Sequence, residues 1–175
     1  MVSQGFTHLY TGSGKGKTTA ALGLALRATG AGLNSFIIQF MKGQHYSELE
    51  AIKKLDGKII IEQWGDKRFC EEKDKNLEHH LKLALQGLAR AKEVLVSKRF
   101  SIIILDEIIT ACLFKLISEE EILSLIKNRP EKVELILTGR GATPKMIEQA
   151  DLVTEMKEIK HYFQKGQIAR KGIES

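Results

Sequence analysis

The chain has 175 residues, of which 43% are hydrophobic, with a formal net charge of +5, a length and composition that fit one soluble domain with a real core. No apolar run approaches membrane-spanning length and no basic-then-apolar leader opens the sequence, while Cys70, Cys112 and the five histidines lack metal-ligand spacing; a membrane span and a zinc module are thereby excluded, and a reducing, cytoplasmic setting is expected. The lysines are scattered and not interleaved with aromatics, so the charge reads as a solvated basic surface with some cations reserved for an anionic ligand, and not as a nucleic-acid face.

Thr7–Thr11 predicts the first strand. It runs into Thr11-Gly12-Ser13-Gly14-Lys15-Gly16-Lys17-Thr18-Thr19, and a helical pattern follows over residues 18–28, ended by Gly30 and Gly32. Strand, glycine loop, Lys-Thr and helix in that order are what a triphosphate-binding loop requires. Glycines let backbone N–H groups wrap anionic oxygens, and the helix start adds its free N–H groups. Gly12, Ser13, Gly14, Lys15, Gly16, Lys17, Thr18 and Thr19 are therefore expected to hold ATP phosphates, with the Thr18 hydroxyl reaching Mg²⁺. The pattern's usual leading glycine is Thr11 here. Arg27 either reaches the nucleotide or caps carbonyls near its helix end.

The second strand is expected at Ser35–Phe40, leading into Gln39-Phe40-Met41-Lys42-Gly43, and a helix at 47–55. A third strand at 58–63 leads into Trp64, which fits either the core or the site, and on to Phe69 and Cys70. Residues 75–97 read as a long helix, in which Leu77, Leu81, Leu85, Leu88 and Leu95 recur at helical spacing and should face the sheet.

The fourth strand, 101–105, ends in Asp106-Glu107. Adjacent acids after an apolar strand fit the second nucleotide motif, with a carboxylate on Mg²⁺ directly or through water, or Glu107 as a base; a capped helix start is the structural alternative. Helices follow at 107–114 and 118–127, the latter with a Ser118/Glu121 capping box. The fifth strand, 133–138, ends in Thr138-Gly139-Arg140-Gly141, where Arg140 can meet a phosphate bidentately. A helix at Pro144–Gln149 and a strand at Leu152–Glu155 complete the pattern. Alternation of this kind predicts a mostly parallel sheet of about six strands with helices on both faces, and ligands at the carboxyl ends of the strands.

Taken in order, these motifs resemble the cobalamin-pathway P-loop type of ATP:corrinoid adenosyltransferase. The likeness covers the phosphate loop with its leading Thr11, Gln39-Phe40-Met41-Lys42-Gly43, Leu105-Asp106-Glu107, Asn128-Arg129-Pro130, Thr138-Gly139-Arg140-Gly141 and Ala150-Asp151-Leu152-Val153-Thr154-Glu155-Met156. It continues through Lys160-His161-Tyr162-Phe163-Gln164-Lys165-Gly166 and Ala169-Arg170-Lys171-Gly172-Ile173-Glu174. The resemblance implies a RecA-like core, usually a homodimer, and attack of a reduced cobalt(I) corrinoid on C5′ of ATP with release of triphosphate. It implies ATP bound in reverse along the loop, with Lys17, Thr18, Glu107 and Mg²⁺ or Mn²⁺ (Asp106 being the second acid) holding the leaving group. Phe69, Lys42 and Trp64 are then the corrinoid-facing candidates, and a flavoprotein is one candidate for the reductant. Only residues 1–5 precede the first strand, so the family's N-terminal cover is expected to be missing; Glu71 stands where a second aromatic is usual. Two other readings of the residues remain: a P-loop ATPase or kinase with Glu107 activating water or an acceptor hydroxyl, and a nucleotide-dependent binding module.

Overall fold

The computed structural model describes residues 2–67 and 76–174. Six strands form one parallel sheet: β1 (Thr7–Thr11), β2 (Ser35–Phe40), β3 (Ile59–Trp64), β4 (Ile102–Asp106), β5 (Glu134–Thr138) and β6 (Leu152–Glu155), in the spatial order β3-β2-β4-β5-β1-β6. The helices are α1 (Lys17–Gly30), α2 (Ser47–Lys53), α3 (Leu77–Val96), α4 (Ile108–Leu113), α5 (Glu119–Lys127) and α6 (Pro144–Gln149). Each predicted strand and helix is present, with ends displaced by one or two residues.

Period-two alternation splits the interior into two layers. Phe36, Ile38, Phe40, Ile103, Leu105, Leu135 and Leu137 point to one face, where α3, α4, α5 and α6 pack. Ile37, Ile102, Ile104 and Ile136 point to the other, against Ala21, Ala25 and Ala28 of α1. Covered on both faces, β2 and β4 are buried along their whole lengths, which is why they read as unbroken apolar runs. Edge strand β6 is exposed throughout.

The leucine row of α3 departs from expectation. Leu88 and Leu95 are buried, but Leu77, Leu81 and Leu85 are 44%, 38% and 49% exposed. The face on the sheet is instead His80, Ala84, Gly87, Leu88, Ala91, Val94 and Leu95. Small residues at its centre let the helix sit close: a Cβ on Gly87 would lie 2.9 Å from the Trp64 Cβ and 3.0 Å from the Phe40 ring. The outer leucines are left along the rim.

Among the described residues no helix is long and apolar enough to cross a membrane.

Candidate active site

The parallel order gathers the carboxyl ends of β1, β2, β4 and β5 at one edge of the sheet. The loop after β1 rises from Thr11 and enters α1 through Gly16, held at φ 114°. Gly12 has φ 100°, and a Cβ there would meet the Met156 carbonyl oxygen at 2.4 Å. The glycine therefore lets the chain leaving β6 run against the loop. Met156 N donates to the Thr11 carbonyl at 2.8 Å, and Gly14 N donates to the Met156 carbonyl at 2.7 Å.

Lys17 is 6% exposed. Its Nζ donates to the carbonyls of Gly12 (2.9 Å) and Gly14 (2.7 Å). Burial pulls its pKa below the ordinary lysine value, Glu107 and Asp106 push it up, and Arg140 adds to the lowering.

Asp106 closes β4 and is fully buried. A carboxylate there requires compensation for lost hydration, and four donors supply it. Thr18 Oγ1 donates to Oδ1 at 2.9 Å and Thr138 Oγ1 to the same oxygen at 2.7 Å. Gln39 Nε2 donates to Oδ2 at 3.2 Å and Lys42 Nζ to Oδ2 at 2.8 Å. The network extends outward through Gln63 Nε2, which donates to Gln39 Oε1 at 3.0 Å. Because β5 lies between β1 and β4, its terminal Thr138 can join the phosphate-loop side to the Asp106 side. Burial opposes the charge on Lys42, but Asp106, with help from Glu107 and Glu48, outweighs it and raises its pKa.

Glu107 takes the left-handed conformation, φ 62°, before α4. A non-glycine residue there stores on the order of 1 kcal/mol or more of strain. Its backbone N donates to Thr138 Oγ1 at 2.9 Å, and its Oε2 accepts from Thr110 Oγ1. The turn replaces the capped helix start that the sequence also allowed: the N-cap is Glu107, not Asp106, and makes no side-chain cap bond. It directs Glu107 to the cavity wall while Asp106 stays behind it.

The cavity over the loop has a volume of about 640 Å³. Ser13, Gly14, Lys15, Gly16, Lys17, Thr18, Thr19, Lys42, Glu107 and Arg140 all line it. Gly12 contributes a carbonyl to Lys17 from the loop's base. Two expected site residues are not brought to it. Arg27 is exposed in the last turn of α1, ten residues and roughly 15 Å of helix axis from Lys17. Trp64 packs against the core under Gly87, its Nε1 donating to Glu62 Oε2 at 3.3 Å. Phe69 lies outside the described residues.

The cavity also has walls outside the phosphate loop and the strand-end motifs. Tyr46, Ser47 and Glu48 enter from the start of α2, and Glu158, His161, Gly172, Ile173 and Glu174 from the tail. The tail is tied down by Lys15 Nζ, which donates to the Ile173 carbonyl at 3.1 Å. Within it, Glu174 Oε1 accepts from Tyr162 Oη and from Arg170 Nη2, the latter at 3.2 Å. Arg170 first, then Tyr162, hold the Glu174 carboxyl down at about 2. Gln39 had a sequence signal in its place at a strand end; the tail carries no periodic pattern and was marked only by the family resemblance of residues 160–166 and 169–174.

Magnesium prefers hard oxygen donors, one or two carboxylates plus phosphate oxygens and water. Thr18 and Asp106 fit such an ion, and a cationic group, the Lys42 ammonium, already rests against both, 2.8 Å from Asp106 Oδ2 and 3.4 Å from Thr18 Oγ1. No cluster of three or more His, Cys, Asp or Glu residues suited to a metal occurs among the described residues.

Comparison with known proteins bears on what this cavity serves. The fold is similar to a KaiC-like protein from Pyrococcus horikoshii, with a TM-score of 0.55 at 20% identity, covering 91% of this chain and 76% of the other. It is similar also to the RadB recombinase, with a TM-score of 0.54 at 10% identity over 91% of this chain and 78% of the other. Both establish a RecA-like P-loop architecture and nothing finer. In sequence, the chain is 35% identical to a corrinoid adenosyltransferase of a Sinorhizobium species over 98% of its own length and 80% of the relative's. It is 32% identical to that of Pseudomonas aeruginosa, over 98% and 84%, and 32% identical to that of Salmonella typhimurium, over 98% and 86%. The model of the family described as ATP:corrinoid adenosyltransferase BtuR/CobO/CobP matches residues 3–175, and the chain belongs to that family.

Proposed function

We propose that the cavity over the β1–α1 loop is where this enzyme carries out its family's reaction, the ATP-dependent adenosylation of a corrinoid. The observation that carries this reading is the convergence of the loop, Lys17, Thr18, Glu107 and Arg140 on one cavity, with Asp106 hydrogen-bonded to Thr18 behind it. The substrate brings its own nucleophile. Cobalt(I) of the corrin attacks C5′ of ATP and gives an electron pair to the new cobalt–carbon bond. The C5′–O5′ bond breaks and its pair leaves with triphosphate. Charge grows on that leaving chain; Arg140, which lines the cavity, and Lys17, once it exchanges the Gly12 and Gly14 carbonyls for phosphate oxygens, would stabilise it more than the ground state.

Thr18, Asp106 and Glu107 would hold a Mg²⁺ or Mn²⁺ ion, which would neutralise phosphate charge. Glu107 serves that ion and not an attacking water. Lys42 stands with the metal side of the cavity, not with a corrin face, and Phe69 is the remaining corrin-facing candidate. The 175 residues act as one adenosyltransferase domain, as a homodimer in the cytoplasm, with a reductant such as a flavoprotein supplying cobalt(I). The unpaired thiol of Cys112 supports a reducing compartment.

Incubation with ATP, Mg²⁺ and chemically reduced corrinoid should give a light-sensitive adenosylated product. Phosphate release at an equal rate without corrin would favour an ATPase instead.

A further inference from the structure

Asp106 is fully buried, and Lys42 is the charged group among its four hydrogen-bond partners. The Lys42 ammonium lies against both the Asp106 carboxylate and the Thr18 hydroxyl, themselves hydrogen-bonded at 2.9 Å and the two groups suited to a divalent cation, and 5.3 Å from the centre of the Tyr46 ring. Two cations cannot share that space without strong repulsion. One must leave for the other to enter.

The chain around Lys42 is arranged so that the side chain alone need move. A Cβ on Gly65 would lie 2.3 Å from Lys42 N, and one on Gly43 the same distance from the Gly65 carbonyl oxygen, so the loops after β2 and β3 interlock. Lys17 is unsuited to replace Lys42, since its Nζ is engaged by Gly12 and Gly14. Glu107 and Glu48 face Lys42 from the two sides of the cavity and keep it charged.

We propose that Lys42 is an exchangeable counter-ion for Asp106: its ammonium holds the metal position until a divalent cation arrives with the triphosphate, then moves into the cavity onto phosphate oxygens. This rests on the metal reading of the Thr18–Asp106 pair. The exchange makes metal binding depend on triphosphate. Without the anion, displacing Lys42 moves an ammonium away from its carboxylate to no equivalent partner; with it, both cations find negative oxygens.

Manganese binding, followed by electron paramagnetic resonance with and without inorganic triphosphate, tests this on the whole chain. The unaltered protein should bind Mn²⁺ at least about tenfold more tightly with triphosphate than without, a difference of about 1.4 kcal/mol. Lys42→Gln keeps a donor for Asp106 but no charge, and should bind Mn²⁺ alone about tenfold more tightly than the parent; Lys42→Arg should keep the parent's dependence. Equal Mn²⁺ affinity of parent and Lys42→Gln without triphosphate overturns the exchange. Absence of Mn²⁺ binding by the parent even with triphosphate overturns the metal reading, and the exchange with it. If Lys42→Gln does not fold, the ¹³Cε resonance of Lys42 in the parent decides: it should shift only when Mg²⁺ and triphosphate are added together, and a resonance that stays put contradicts the proposal.

Discussion

On one wall of the cavity Asp106 is fully buried and takes hydrogen bonds from the first turn of α1, the ends of β2 and β5, and the loop after β2. On the opposite wall Glu174 sits partly covered at the surface, held by Arg170 and Tyr162 of its own segment and tethered to the loop through Lys15 and Ile173. The same residue chemistry, a carboxylate held by cations and hydroxyls, thus has two different consequences. Around Asp106, partners come from distant parts of the chain, so disturbing one disturbs the sheet edge. Around Glu174, partners lie within twelve residues, so the segment can loosen while the sheet remains. The first wall is suited to fixed electrostatics toward a leaving group, and the second to covering a substrate that must enter.

In ATP binding, the contrast can be broken most strongly at Lys17. Lys17→Ala removes a charge-assisted contact of roughly 1.5–3 kcal/mol, which weakens ATP binding about 10- to 150-fold, with little change in melting temperature. Calorimetric affinity equal to the parent's would remove the loop from the account. Asp106→Asn reaches stability as well. It leaves the Lys42 ammonium, 15% exposed, without its anion, and loss of one partner from such a buried pair costs about 3–5 kcal/mol. A thermal or urea melt that matches the parent would show that the network is not a structural unit.

Glu107→Gln should act on the same wall but more mildly. The backbone turn survives, and the metal concentration for half-maximal ATP binding rises about tenfold, the lower range for altered metal surroundings. An unchanged titration would leave the metal to Thr18, Asp106 and the phosphates. Glu174→Gln is the smallest change. It should raise the rate of proteolytic cleavage within residues 158–174 and leave the melt unaltered. Since the Glu174 pKa is depressed from 4.5 to about 2, its contribution is full above the ordinary value and is lost progressively as pH falls from there through about 2. The tail should therefore resist protease equally at pH 5 and pH 7.

The two walls also differ in how far they could be read from residues alone. The loop from Gly12 to Thr19, Asp106-Glu107 and Arg140 announce themselves because the chemistry of phosphate and metal binding demands those types at strand ends. Buried β2 and β4 are legible because a sheet covered twice makes unbroken apolar runs. Trp64 and Arg27 show the limit: each lies in an element beside the site, and only packing decides that Trp64 goes beneath Gly87 and Arg27 to the far end of α1. Leu77, Leu81 and Leu85 have the right period but the wrong phase, since Ala84, Gly87 and Ala91 admit the sheet more closely. The tail carries no period, so only the family resemblance of residues 160–166 and 169–174 marked it, and no local pattern foretold that Glu158, His161 and Glu174 would line the same cavity as the phosphate loop.

We propose that the fixed wall stabilises an intact triphosphate leaving from C5′. The most direct test separates the phosphate products of ATP, Mg²⁺ and cobalt(I) corrin while adenosylated corrin is counted by its absorbance. One triphosphate is expected for each cobalt–carbon bond formed, and none in a corrin-free control. Orthophosphate or pyrophosphate as the first product, released at the same rate with or without corrin, would contradict it.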